Sequence, residues 1–238
     1  MYALKEEIVK KAQSELDFAS WSRLKDKYVE RFLEHGDAYH PDKIFRLERN
    51  YSKYFDLDSW LPYHSRIAMI VGLHAEEQSK RILDLGCGSG MFLYICRVLG
   101  HEGVGLDLGS EMYQEMADIF GVEYRISPIL AHQKLPEDLT GFDVISALAI
   151  KFDRLDWGPQ DEEPWSLPEW QFFIQDTASR LNPGGKLLIK PNYWIHPTEA
   201  TPGVYFKDER VLDYLIGLSE VVTPSYEFII NGSSVRAS

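Results

Sequence analysis

Asp84-Leu85-Gly86-Cys87-Gly88-Ser89-Gly90 is the stretch on which the reading of this sequence turns. Arg81-Ile82-Leu83-Asp84-Leu85 leads into it and has the length and branched residues of a buried strand. Residues 91–99 follow with helical periodicity. Glycines between a strand and a helix permit a sharp turn and let a ligand reach the backbone with no Cβ in the way. In open α/β sheets ligands sit beyond the carboxyl ends of the strands, where the winding reverses. The spacing is Gly-x-Gly-x-Gly, not the Gly-x-Gly-x-x-Gly that aims helix amides at a pyrophosphate.

The pattern continues outward from this loop. Strands are expected at residues 103–107, 122–126, 142–148 and 186–190, and helices at 110–120, 169–181 and 207–218. Strands alternating with helices of ten or more residues imply βαβ units and a parallel sheet. Residues 226–230 read as one more strand, and Asn231-Gly232 after it is a hairpin signal. Only six residues follow, few for a return strand. Upstream, Leu4, Ile8, Ala12 and Leu16, then Leu24, Tyr28 and Phe32, recur every fourth position, as on helices. Residues 1–77 are therefore expected to form a helical cap, and 78–238 the α/β domain.

Two further segments carry chemistry. Asp107 ends the second strand, where a carboxylate accepts from both ribose hydroxyls in nucleotide sites. Asn182-Pro183-Gly184-Gly185 ends a helix and delivers the apolar strand Lys186-Leu187-Leu188-Ile189-Lys190. The glycine loop, Asp107 and this strand, in this order, resemble the class I S-adenosylmethionine-dependent methyltransferases over about residues 78–232.

That resemblance implies a doubly wound, mostly parallel seven-stranded sheet. Gly86, Gly88 and Gly90 would floor the methionine part, with Cys87 as a compact filler among these cofactor-binding residues. Asp84 would orient the loop and the amino-acid end, Asp107 would hold the ribose, and Leu108 would cover the adenine. Ala147 and Leu148 would face the methionine moiety and the acceptor. Where many members carry an Asp after the third strand, this chain has Ser127-Pro128-Ile129. Ser127 or a backbone carbonyl would then meet the adenine amino group.

The acceptor is narrowed by what is missing. Ile150-Lys151-Phe152-Asp153 stands where amino-methylating DNA enzymes carry an Asn/Asp-Pro-Pro-aromatic turn, and no Pro-Cys pair follows the strand. With 25 Lys+Arg against 37 Asp+Glu the net charge is −12, the wrong sign for tracking a phosphate backbone. The expected reaction is in-line methyl transfer to an oxygen or nitrogen of a small molecule or a protein side chain. The alternatives are a non-catalytic S-adenosylmethionine-binding protein and a nicotinamide-dependent dehydrogenase. His196, in the loop after the fifth strand, and Asp153, after the fourth, are the candidate bases. The aromatic, acidic stretch from Asp153 to Trp170 either helps the cap cover the acceptor or tucks its tryptophans against the sheet.

No metal site is expected from two cysteines, Cys87 and Cys96, and a disulfide framework is excluded. The N-terminus has acids where a signal peptide needs an apolar core. The longest apolar runs fall short of the ~18 residues of a membrane span. A cytosolic protein that does not bind membranes is expected.

Overall fold

The computed structural model describes residues 2–35, 53–150, 152, 164–191, 193–194, 203–204 and 209–236. Among the described residues three α-helices come first: α1 (Tyr2–Glu15), α2 (Phe18–His35) and α3 (Leu57–Ile70). The alternating part runs β1 (Arg81–Leu85), α4 (Met91–Val98), β2 (Glu102–Asp107), α5 (Glu111–Phe120), β3 (Glu123–Ile126) and β4 (Phe142–Ile150). It continues with α6 (Leu167–Ser179), β5 (Leu181–Pro191), a small ladder of β6 (Tyr193–Trp194) with β7 (Gly203–Val204), and α7 (Glu209–Leu218). β8 (Ser219–Val222), β9 (Phe228–Asn231) and α8 (Gly232–Arg236) close the order.

Seven strands form one sheet in the order β3-β2-β1-β4-β5-β9-β8. β1 to β5 run parallel to one another, and β9 runs antiparallel to both β5 and β8. The winding reverses between β1 and β4, so the ligand crevice of such a sheet opens above that pair. The expected mostly parallel, seven-stranded, doubly wound α/β sheet is present.

Side chains alternate along each strand and divide the core between two faces. On the first face Ile82, Val144, Leu188 and Ile229 pack with α4, α5 and the N-terminal helices through Ile8, Trp21, Leu61 and Phe120. On the second face Leu83, Ile145, Leu187 and Phe228 pack with α6, α7 and α8 through Trp170, Ile174, Leu215 and Val235. The first-face helices are pinned by polar ties. Tyr94 on α4 donates to the Ala12 carbonyl at 2.5 Å, and Lys27 and Tyr28 on α2 both donate to Glu115 on α5.

The orientation of α3 matters for the site. Just past its end, the Leu73 carbonyl meets Nε2 of the buried His101, immediately before β2, at 2.9 Å. Nδ1 of His101 accepts from the Lys80 amide just before β1, which leaves Nε2 as the donor. The end of α3 is thereby held at the amino edge of the sheet. At its other end Tyr54 lies edge-on to Tyr113, in the first turn of α5 and beyond the carboxyl end of β2. The helix therefore starts at the ligand edge and runs away from it.

One sequence expectation is corrected, and an alternative left open is decided for two tryptophans. Asn231-Gly232 makes no hairpin. Asn231 Oδ1 accepts from the Ser233 amide and hydroxyl, which caps α8 and ends the strand. The hairpin is β8–β9, closed by Thr223 and Tyr226. β8 escapes the sequence pattern because its exposed Glu220, Val221 and Val222 lack alternation. Of the aromatic stretch, Trp165 and Trp170 are tucked on the second face with Phe152, whose ring lies 5.0 and 4.3 Å from theirs. Residues 153–163, Trp157 among them, lie outside the described residues.

Arg180 holds the β3–β4 connection. Its buried guanidinium donates to the carbonyls of Leu135, Pro136 and Leu139 and pairs with Asp176. Arg180→Met leaves the enclosed Asp176 carboxylate without its cation, with the Leu135 amide still donating to it, which costs roughly 3–5 kcal/mol. At about 2–4 °C per kcal/mol for a chain of this size, thermal melting should drop by on the order of 10 °C. A loss below about 3 °C would show that water takes over these contacts.

Candidate functional site

The site is assembled at the carboxyl edges of β1, β2 and β4. Gly86, Gly88 and Gly90 all take left-handed backbone angles, with φ of 63°, 54° and 75°. At Gly88 a Cβ would meet nothing within 4 Å, so the backbone itself faces open space there. Cys87 turns the other way. Its Sγ lies 2.5 Å from where a Cβ of Gly105 would stand, so the loop can nest on β2 only because residue 105 has no side chain. Burial pushes the Cys87 thiol up, and the carboxylates of Asp84 and Asp107 add to the shift. A neutral filler is what remains.

Asp107 ties the loop down. Its Oδ2 accepts from the Gly88 amide at 2.8 Å and its Oδ1 from the Leu108 amide at 2.7 Å. An ionised carboxylate offers about four lone-pair positions, so these two amides do not exhaust it. Asp107 does not cap α5, because Ser110 is the N-cap of that helix. Leu108 follows with 52% of its surface exposed, a large apolar side chain beside a polar anchor. The Ser127 amide donates to the Asp107 carbonyl at 2.9 Å, which carries the β2–β3 ladder to the same edge.

Asp84 is the buried acid of the site. It lies opposite Ser146 in the β1–β4 register, at the reversal point of the sheet, and accepts from that hydroxyl at 2.6 Å. Burial pushes its carboxyl up to about 7; the Ser146 bond opposes the shift and the charge of Asp107 adds to it. Ala147 is fully buried on the second face, so its backbone is what it can offer a ligand. Leu148 packs on the first face. Directly after it, Ala149 has φ of 56° and the β4–β5 register shifts. Such strain in a non-glycine residue gathers at sites the surrounding structure must shape.

The structure thus brings Asp84, the glycine loop, Asp107, Leu108, Ser127, Ala147 and Leu148 to one edge. His196 and Asp153, the expected bases, lie outside the described residues. Several residues that the sequence did not assign to the site join the edge. Tyr124, opposite Gly105 in register, has a buried hydroxyl close to the Asp107 carboxylate. Burial, then the charge of Asp107, pushes that phenol up. Glu227, fully buried at the start of β9, receives Lys190 from the end of β5 at 2.8 Å and also Arg66 from α3 and Thr223. Burial alone would raise the Glu227 carboxyl; these three donors outweigh it and hold it at about 2. Of this group Lys190 alone had a sequence signal, as a charge ending an apolar strand.

No protein-family model matches the chain. Among curated proteins it is similar to a ubiquinone biosynthesis O-methyltransferase of Bordetella avium (strain 197N). The two are 24% identical over 199 residues, 79% of this chain and 73% of that protein. It is also similar to a tRNA U34 carboxymethyltransferase of Pseudomonas fluorescens, 29% identical over 92 residues, 35% of this chain and 28% of that protein. One similar solved structure is a SAM-bound amino pentose methyltransferase of Micromonospora echinaspora, 21% identical, with TM-score 0.42, covering 60% of this chain and 54% of that one. The named relatives are methyltransferases, consistent with the class I S-adenosylmethionine-dependent methyltransferase expected from the three motifs.

Proposed function

We propose that this protein transfers the methyl group of S-adenosylmethionine by in-line displacement to an oxygen or nitrogen of a small molecule. The carrying observation is the glycine loop held by Asp107 at the reversal point of the sheet. The donor set suits the cofactor. Asp107 has lone pairs left for two ribose hydroxyls, Leu108 offers an apolar surface for the adenine, and Gly88 leaves room for the chain between them. Asp84 lies toward the amino-acid end. Bound there, the cofactor supplies an electrophilic methyl on a cationic sulfur, and the protein's part is to align an acceptor with it and keep water out.

Several observations support a small acceptor. The name of the first relative points to an oxygen acceptor. The second relative's name includes tRNA, but its match covers 35% of this chain, and the net charge here is −12. In this reading the helices of residues 1–77 cap the acceptor, and His196 or Asp153 is available to take a proton. Two free cysteines suit the cytosol. Among the described residues no helix is long and apolar enough to cross a membrane.

Calorimetric titration with S-adenosylhomocysteine tests the reading directly. Asp107→Ala removes charge-assisted hydrogen bonds worth about 1.5–3 kcal/mol, so affinity should fall roughly 10- to 100-fold. Unchanged affinity would take Asp107 out of the site.

Asp84→Asn separates function from stability. The native state holds the Asp84 proton more tightly than the unfolded chain, because its pKa is raised from 3.8 to about 7. Stability from this group is therefore complete below about pH 4 and declines as pH rises toward about 7. Replacing the buried carboxylate should raise melting of the ligand-free protein at pH 8 by at least ~2 °C, while weakening S-adenosylhomocysteine. A variant that melts lower at pH 8 would mean that ionised Asp84 has a partner in the fold.

The charge balance generates one more expectation. Generic duplex DNA or transfer RNA should not bind in the micromolar range, and micromolar binding that weakens steeply with added salt would contradict the small-molecule reading.

A further inference from the structure

The start of α3 brings a cluster of rings to the ligand edge. Tyr54 stacks on Trp60 with centroids 5.7 Å apart and meets Tyr113 edge-on at 5.2 Å. His64 lies one turn after Trp60 and stacks on it at 5.7 Å, with Tyr63 edge-on at 4.9 Å. Its other neighbour is Phe92, in the first turn of α4 directly behind the glycine loop, at 6.2 Å. Tyr63 in turn lies 5.2 Å from the ammonium of Lys190, at the carboxyl end of β5. His64 is therefore bracketed by the glycine loop on one side and the end of β5 on the other.

Its chemistry is unusual for a core histidine. Nδ1 is buried and has no hydrogen-bond partner among the described residues. An orphaned buried polar atom calls for an explanation, and here there is a positional one. The other orphaned imidazole nitrogen of this region, on His74, lies past the end of α3 at the amino edge, away from any ligand. Ser65, also orphaned, is fully enclosed. His64 combines an unpartnered buried ring nitrogen with aromatic neighbours between the glycine loop and the end of β5, and aromatic side chains around a few polar groups are the usual make-up of a small-molecule pocket.

Resting on the methyltransferase reading, we infer that His64 binds the methyl acceptor: Nδ1 accepts from a hydroxyl on a planar aromatic ring, which the cap's aromatic side chains enclose, and takes its proton during transfer. The acceptor oxygen forms its bond to the methyl carbon as the carbon–sulfur bond breaks, with that electron pair remaining on sulfur. The hydroxyl proton passes to Nδ1, so the positive charge lost from sulfur reappears on the imidazole and is then released to water. Burial pushes His64 down to about 3, which keeps it neutral and accepting before the reaction. So weak a base still suits an oxygen acceptor, because a protonated ether is a far stronger acid than imidazolium. An alkylammonium product would not give up its proton to it.

Catechol serves as the acceptor probe, with S-adenosylhomocysteine titrated first. Failure of wild-type protein to bind S-adenosylhomocysteine would bring down the methyltransferase reading; normal binding of it with no binding of catechol would bring down this inference alone. With S-adenosylhomocysteine saturating, long-range 1H–15N correlation on 15N-histidine-labelled protein should show catechol moving the His64 Nδ1 resonance upfield, and the cofactor product alone leaving it in place. His64→Phe, which keeps a ring for stacking, should bind catechol at least 10-fold more weakly with S-adenosylhomocysteine affinity within twofold. With S-adenosylmethionine supplied, His64→Gln should methylate catechol at least ~100-fold more slowly, the scale of a lost general base. An unmoved Nδ1 resonance, equal catechol affinity in His64→Phe, or turnover of His64→Gln within threefold of wild type would each overturn the assignment. Should either variant fail to fold, the wild-type resonance decides by itself.

Discussion

The hydrogen bond from the Gly88 amide to Asp107 joins two strands' worth of chain at one point. A glycine-rich turn left to itself loses more conformational entropy on ordering than any other segment. Here one carboxylate meets that cost by fixing the loop to the end of β2, while Cys87 fills the gap over Gly105. The loop shape, the start of α4 and the placement of the open Gly88 backbone all follow from that anchoring. The residue that holds the loop is also the one proposed to hold the ribose. In that reading binding and preorganisation are served by the same carboxylate.

A second polar contact extends this logic across the reversal point. Asp84 and Ser146 face each other on β1 and β4, and the buried carboxyl is held there at a cost in stability above neutral pH. Arg66, Lys190 and Glu227 are the opposite case. There a buried acid is compensated by two cations and a hydroxyl, and it links α3, β5 and β9. One acid is left under-satisfied where a ligand is expected, and the other is over-satisfied where the frame must stay rigid.

Much of this was legible in the sequence because it depends on local pattern. Asp84 to Gly90 shows its turn through glycine spacing, and 81–85, 103–107 and 186–190 show themselves as strands through short apolar stretches bounded by charges or turns. What escaped reading depends on register and on distant parts of the chain. Ser146 matters only because it falls opposite Asp84, and Glu227 only because β9 inserts beside β5. His64 sits in a helix whose apolar period gave no reason to single it out, and its meaning comes from Trp60, Tyr63 and Phe92 closing around it. Asn231-Gly232 misled for a related reason. The same side chain that favours a tight hairpin also caps a helix, and local sequence does not choose between them.

Glu227 and Arg66 are 161 residues apart, and this spacing affects how the protein is made. β9 sits between β5 and β8 and contributes Ile229 to the face that the first helices cover. While the chain emerges from a ribosome, α1 to α3 are exposed long before their last partner strand exists. Contacts of such long range are slow to form, because loop closure must precede them. The N-terminal helices therefore spend most of synthesis with apolar faces incompletely covered, a condition that favours chaperone capture or aggregation. The first helices to be synthesised are in this way among the last parts of the molecule to be secured, since the acid that anchors Arg66 arrives only with β9.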